Sequence, residues 1–313
     1  MVNQVICLMG PTASGKTSLA CELVAQMPCE IISVDSAMIY RGMDIGTAKP
    51  DAQTLADAPH HLIDIIDPID SYSAAQFCED ASQLCHAIIR RGNIPLLVGG
   101  TMMYFHALQQ GLSTLPEANS VVREQLMHQA QAHGWDFMHH RLATIDAVSA
   151  ARIHPHDTQR IQRALEVYEL TGKPLSVCLD EAITPPAFQF TNIILHPSDR
   201  AWLHARIGER FEQMLTEGLV AEVEHLLKQW DLTSEHPALR CVGYRQAFEY
   251  LQKTYDYDTL RSKGCAATRQ LAKRQLTWLR HWPDGHFFEA ESLCVVAVLK
   301  KIKALGDLYD RNK

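Results

Sequence analysis

Residues 10–17 read Gly-Pro-Thr-Ala-Ser-Gly-Lys-Thr, between the apolar run Val5-Ile6-Cys7-Leu8-Met9 and a segment of helical character from Ser18 to Gln26. A strand, a glycine-bearing loop and a helix in that order are the setting in which the pattern GxxxxGK[ST] cradles phosphate. Gly10 and Gly15 permit a tight turn, so that successive backbone N–H groups of the loop converge on one anion. The positive end of the following helix adds to that field. Lys16 contributes a point charge, and the Thr17 hydroxyl can sit on Mg²⁺. The stretch predicts an α/β core with a site for two linked phosphates. A glycine-rich turn with no ligand is the alternative, and the loop does not say which compound carries the diphosphate.

Composition bounds the rest. The chain has 313 residues, 47% hydrophobic and 21% charged, which is ordinary globular composition with room for one large domain and a smaller one. No apolar run approaches the length of a membrane span, and the first residues lack the charged start and cleavage site of a signal peptide. The nine cysteines form no CxxC pair, so free thiols in a reducing cytoplasm are expected rather than a disulfide frame or zinc site. No feature demands a dimer or an obligate protein partner. The net charge of −7 argues weakly against nucleic acid, but Arg240 to Arg280 holds nine lysines and arginines against three acids. A locally basic segment is what phosphate contacts need.

In chain order, Glu30 to Ser36 reads as a second strand ending in a carboxylate, Asp35. Ligands in doubly wound folds gather at the carboxyl ends of the strands, so Asp35 is expected in the cleft of Lys16. It can hold Mg²⁺, act as a general base, or simply cap the next helix. Residues 41–70 read as a long irregular stretch, and Tyr72 opens a helix running to about Arg91. The buried strand Ile94 to Val98 ends in Gly99-Gly100-Thr101, where a motor ATPase would often show an acid. The paired glycines allow a ligand to approach closely, with the Thr101 hydroxyl as donor.

From about Ser113 to Pro186 the pattern is helical without a strand signal, which predicts an insertion into the core. Arg160 and Arg163 lie one turn apart within it, suited to phosphate or base contacts or to a salt-bridged surface. The core resumes with the strand Asn192 to Leu195 and a helix from about Asp199. In that helix Leu203, Ile207, Phe211, Met214 and Leu215 form the packing stripe, and Arg206 or Arg210 can reach back to a diphosphate. Between Gly264 and Arg280, Arg269, Lys273 and Arg280 share a narrow wedge of a helix, with Leu271, Trp278 and Trp282 opposite. That arrangement predicts either a cationic ridge backed by aromatic packing or a solvated charged face.

Taken together, GPTASGKT at 10–17, VDSAMIY at 34–40, MDIGTAKP at 43–50, PHHLIDI at 59–65, YSAAQF at 72–77, LLVGGTMMY at 96–104, QRIQRALEVY at 159–168, RCVGYRQ at 240–246 and TRQLAKRQLTWLR at 268–280 resemble the bacterial tRNA dimethylallyltransferases, or tRNA isopentenyltransferases. The resemblance implies a P-loop NTPase-like core, with a parallel sheet flanked by helices, over residues 1–112 and 187–313. Residues 113–186 would be an inserted helical domain closing over the anticodon stem. The implied reaction moves the dimethylallyl group from its diphosphate to N6 of the adenosine 3′ of the anticodon. By the same resemblance Gly10, Thr12, Ala13, Ser14, Gly15, Lys16, Thr17 and Arg206 bind the diphosphate, and Mg²⁺ sits on Thr17. Asp35 is the base, with Thr101, Lys16 and Arg210 assisting.

The tRNA would meet Asp35, Ser36, Ala37 and Met38, then Thr101 and Arg123, then Gln159, Arg160, Ile161, Gln162 and Arg163. It would also meet Arg240, Cys241, Val242, Gly243, Tyr244 and Arg245, and on the last helix Lys273, Arg274 and Arg280. Many relatives carry Gln where this chain has Met38. Eukaryotic relatives add a Cys/His zinc module that this sequence lacks, so no metal beyond Mg²⁺ is implied. Three other readings stay open: a small-molecule kinase on the same scaffold, an adenylate isopentenyltransferase making free nucleotides, and an RNA-binding protein with a vestigial loop.

Overall fold

The structure, a computed structural model, describes residues 3–111, 115–180 and 188–305. The expected seams of the insertion, at 112/113 and 186/187, fall on or beside residues outside that set. The chain divides into two compact units, one of Met1–Gln109 with Pro186–Lys313 and one of Gln110–Pro185.

The first unit opens with β1 (Gln4–Met9), α1 (Lys16–Val24), β2 (Cys29–Val34), α2 (Ala52–Asp57), β3 (His60–His61), α3 (Ala74–Arg90), β4 (Ile94–Gly99) and α4 (Met102–Gln110). Residues 41–70, expected to be irregular, thus contain a short helix and a two-residue strand. Asp51 caps α2 by accepting from the Thr54 N–H at 2.7 Å, and β3 pairs with β2. The second unit is α5 (Ser120–His133), α6 (Trp135–Ile145), α7 (Ala147–Arg152), α8 (Thr158–Thr171) and α9 (Leu175–Asp180). Leu126, Met138, Leu142, Ile161 and Leu165, from three of these helices, form its own core. The chain then returns through β5 (Gln189–His196), α10 (Arg200–Glu217), α11 (Leu219–Gln229), α12 (Pro237–Arg240), α13 (Tyr244–Leu251), α14 (Tyr257–Leu279), β6 (Gly285–Glu289) and α15 (Val295–Leu305). Neither β6 nor α15 is anticipated by the sequence reading.

The sheet has six strands in the order β3-β2-β4-β1-β5-β6, and every pairing is parallel. Central parallel strands are covered on both faces, which is why β1 and β4 read as continuous apolar runs. Val5, Cys7 and Met9 face α3 and α4, while Ile6 and Leu8 face α1 and α15. Each such aliphatic side chain contributes about 1.5–3 kcal/mol on burial. The chain leaves β1 for β2 on one side of it and later returns to β5 on the other, so a crevice opens at the carboxyl ends of the strands. A third cluster, with Phe211, Leu215, Leu219, Val223 and Tyr244, packs α10, α11 and α13 together. Among the described residues no helix is long and apolar enough to cross a membrane.

Candidate active site

The loop after β1 is shaped as its composition dictates. Ala13 and Gly15 hold φ of 63° and 89°, in the left-handed region that turns N–H groups toward a common point. A Cβ on Gly10 would stand 2.8 Å from Ser14 Oγ and 3.0 Å from the Leu195 carbonyl, so only glycine fits there. Gly15 caps α1 without a side-chain hydrogen bond. The first N–H groups of that helix therefore have neither an intrahelical nor a side-chain cap partner, and are available to an anion. The Ser14 hydroxyl is buried with no hydrogen-bond partner among the described residues.

Lys16 Nζ donates to the Pro11 carbonyl at 2.6 Å. Burial, with Arg210 nearby, brings its ammonium down to about 7, against a smaller opposing pull from Asp35. Asp35 stands just past β2, where its carboxylate accepts from the N–H groups of Ala37 (2.8 Å) and Met38 (3.3 Å). That local turn aims the carboxylate by backbone geometry rather than by an ion pair. Thr101 heads α4; its N–H donates to the Val34 carbonyl (3.2 Å), and its Oγ1 accepts from the Ser36 N–H (3.1 Å). The Gly99-Gly100 pair is required by packing, because a Cβ on Gly99 would stand 2.0 Å from the Val34 carbonyl oxygen.

The two arginines of α10 differ. Arg206 Nε donates to the Ala13 carbonyl at 2.9 Å, and its guanidinium lies 4.9 Å from the Trp202 ring, so it braces the loop. Arg210 is half-buried; burial lowers its pKa, Asp35 opposes that shift, and Arg206 adds a smaller push downward. A cavity of about 900 Å³ gathers Thr12 to Ser18, Asp35, Ala37, Met38, Gly100, Arg206, Arg210, Cys241, Val242 and Gly243. Burial drives the Cys241 thiol up to about 12, with Asp35 adding to the effect. Among the described residues no three His, Cys, Asp or Glu converge as a metal cage.

Two side chains expected to meet nucleic acid are packed instead. Tyr244 is fully buried and donates its hydroxyl to Glu222 at 2.5 Å, and Ile161 is fully buried in the core of the second unit. A residue spaced among polar neighbours still turns inward when helix periodicity directs it there. Arg160 and Arg163, one turn apart, also part company. Arg160 is exposed beside Asp157 at 3.4 Å, whereas Arg163 and Arg123 both grip the fully buried Glu166, at 2.7 and 2.9 Å. Gln162 donates to the Arg123 carbonyl, and Gln159 is exposed. In the first unit Arg240 pairs with Glu235 and Arg245 with Glu249, while Lys273, Arg274 and Arg280 are exposed.

The last helix of the basic segment corrects the expected faces. Its buried stripe is Leu260, Gly264, Ala272, Gln275 and Leu279, while Trp278 is 38% exposed. Trp282 lies beyond the helix end. Small residues enter this stripe because Phe211 presses on Gly264, where a Cβ would stand 1.9 Å from the ring. Two site residues escaped the sequence reading. Gln275 accepts from the Thr12 N–H and donates to the Gly100 carbonyl, both at 2.9 Å. Glu222 accepts from the N–H groups of Asp44, Ile45 and Gly46 at 3.1, 2.8 and 3.2 Å, fixing one wall of the cavity. The only sequence signal for Gln275 is its place on the stripe of Gly264 and Ala272.

Comparisons with known proteins bear on this site. The model of the IPP transferase family matches residues 38–282. A tRNA dimethylallyltransferase of Legionella pneumophila is 62% identical over 308 residues, covering 98% of each chain, and one of Coxiella burnetii is 54% identical over 304 residues, covering 96% of this chain and 98% of its own. Among solved structures, the tRNA isopentenylpyrophosphate transferase of Bacillus halodurans matches with a TM-score of 0.71 at 33% identity over 96% of both chains. A eukaryotic dimethylallyltransferase acting on tRNA matches with a TM-score of 0.79 at 26% identity over 96% of this chain and 77% of its own. With a family model matching residues 38–282 and relatives of this closeness along nearly its whole length, the chain belongs to the IPP transferase family.

Proposed function

We propose that this protein transfers the dimethylallyl group from dimethylallyl diphosphate to N6 of the adenosine immediately 3′ of the anticodon in tRNA. Prenyl transfer onto tRNA is the activity of the family; the atom and the donor are what the resemblance implies, and the residue roles combine that resemblance with the geometry of the site. The observation that carries the reading is the meeting of Lys16, Arg210 and Asp35 in one cavity at the carboxyl ends of the sheet. Two cations and a carboxylate suit a reaction in which a diphosphate departs and an amine loses a proton.

In this reading the N–H groups at the start of α1 and Lys16 hold the diphosphate, the Thr12 N–H being taken by Gln275, and Arg210 faces its developing charge. Arg206 acts through the loop it braces. Mg²⁺ commonly takes few protein ligands and completes its shell from phosphate and water. The Thr17 hydroxyl, on the wall of the cavity, would be one ligand of such a shell. Bound there, Mg²⁺ would neutralise charge on the leaving diphosphate. The exocyclic amine attacks C1 of the dimethylallyl group as the C1–O bond breaks. Asp35, turned by its bonds to Ala37 and Met38, orients the amine and takes its proton. The adenosine must leave its stack to enter, which a single-stranded anticodon loop permits. Exposed Arg269, Lys273, Arg274 and Arg280 suit the RNA backbone.

The test offers dimethylallyl diphosphate and Mg²⁺ with unmodified tRNA, with AMP, and with ATP plus candidate kinase substrates, followed by mass spectrometry of the digested RNA. The expected result is a dimethylallyl mass gain on one adenosine of the tRNA and none on AMP. Gain on AMP alone, or phosphate moving from ATP with no prenyl transfer, would refute the reading. Soluble cytoplasmic action as a monomer is part of the same proposal, and sedimentation of the purified protein tests the monomer.

A further inference from the structure

Gln275 lies inside the cavity wall, yet both halves of its amide are spoken for by backbone. Its Oε1 accepts from the Thr12 N–H and its Nε2 donates to the Gly100 carbonyl, both at 2.9 Å, with the residue 8% exposed. A Cβ on Gly100 would stand 2.4 Å from Nε2, so the glycine leaves room for this bond. Thr12 belongs to the loop after β1, and Gly100 precedes Thr101, whose hydroxyl receives the N–H of Ser36 beside Asp35. One side-chain amide therefore joins the loop that would hold the leaving group to the turn that would hold the acceptor. The helix that carries it exposes Lys273 and Arg274, two residues and one residue earlier.

From this geometry we propose that Gln275 is a positioning residue for the transfer reaction. It sets the spacing between the diphosphate loop and the Gly100-Thr101 turn, and so between C1 of the donor and the attacking amine. The inference rests on the proposed function above. An amide is the group for this place, because one end must accept and the other donate. Met has similar length and fills the same space but does neither to useful strength. In Gln275→Met the Thr12 N–H and the Gly100 carbonyl lose their partners, and the two walls are free to drift. Misplacement of reacting groups by a fraction of an ångström to one ångström costs on the order of 10- to 100-fold in rate.

The experiment compares wild type with Gln275→Met and, as a second variant, Gly100→Ala, which displaces the same amide while leaving Gln275 in the chain. Three quantities are read: kcat and KM for the transfer, tRNA affinity, and hydrogen exchange at the Thr12 amide. The expected result is a kcat lowered by roughly 10- to 100-fold in both variants, tRNA affinity within about twofold of wild type, and faster Thr12 exchange at unchanged global protection. A kcat equal to wild type in folded Gln275→Met overturns the proposal. So does a loss expressed only in KM for tRNA, or unchanged Thr12 exchange. The exchange arm needs no turnover, so a wild type that transfers nothing to tRNA counts against the proposed function, while unchanged exchange counts against the clamp itself.

Discussion

Lys16 offers the sharpest quantitative prediction. With its ammonium near 7 in the unliganded protein, about nine-tenths of the lysine is neutral at pH 8, about half at pH 7 and about a tenth at pH 6. A bound diphosphate supplies negative charge that returns the group to its charged form. Binding at pH 8 should therefore draw in about 0.9 proton, against about 0.1 at pH 6, and affinity should fall about tenfold per pH unit above 7. The sign is that of a depressed cation. The unfolded chain holds the proton up to about 10, so the unliganded fold gains stability as pH rises from 7 toward 10, and that gain is absent below 7. Calorimetric titration of diphosphate with Mg²⁺, repeated in buffers of different ionisation enthalpy, measures the proton count directly. Lys16→Met subtracts the protons that belong to the diphosphate itself. Equal uptake by wild type and Lys16→Met at pH 8 would refute the reasoning, because the lysine would then not be the group that takes the proton.

Asp35→Ala should lower turnover by about 10²- to 10⁴-fold with tRNA affinity nearly intact, as separate rapid-quench and filter-binding measurements would report. Replacing Arg269 and Lys273 by Ala should weaken tRNA binding and reduce its salt slope by roughly 0.7–0.9 for each phosphate that is no longer neutralised, read from affinities across a salt series. Glu166→Gln should destabilise the second unit by about 1–3 kcal/mol, since a buried carboxylate serving Arg123, Arg163 and the Asn119 N–H becomes a poorer acceptor; differential scanning calorimetry reads the shift.

The parts of the site legible in sequence are those at the ends of apolar runs. Lys16, Asp35 and Thr101 each follow a strand, and a parallel sheet brings all such ends to one edge. Arg210 is legible as a charge beside a helical stripe, though only the structure separates its place from that of Arg206, which is taken by the Ala13 carbonyl. What is not legible depends on partners distant in the chain. Gln275 meets Thr12 across 263 positions, and no local pattern marks that bond. Tyr244 sits between Gly243 and Arg245 in a stretch expected to meet tRNA, yet its side chain is buried and its hydroxyl bonds to Glu222. β6 escapes because its Gly285–Glu289 stretch is a half-exposed edge strand without the continuous apolar run that marks the central ones. The faces of α14 escape because apolar character is a poor sign of packing there: Phe211 selects for the absence of a side chain at Gly264.

The Glu222 carboxylate ties residues 44–46 to Tyr244 from a helix that belongs to neither stretch. This has a consequence for recombination between related enzymes. A chimera whose crossover separates residues 44–46 from α11 would join a loop and an anchor that arose in different backgrounds. Two stretches that each look self-contained are thus inherited as one unit with a third. Shuffled libraries should retain function when 44–46, 222 and 244 share a parent, or when both parents carry the acid and the tyrosine, and lose it when the glutamate alone is exchanged for a shorter side chain.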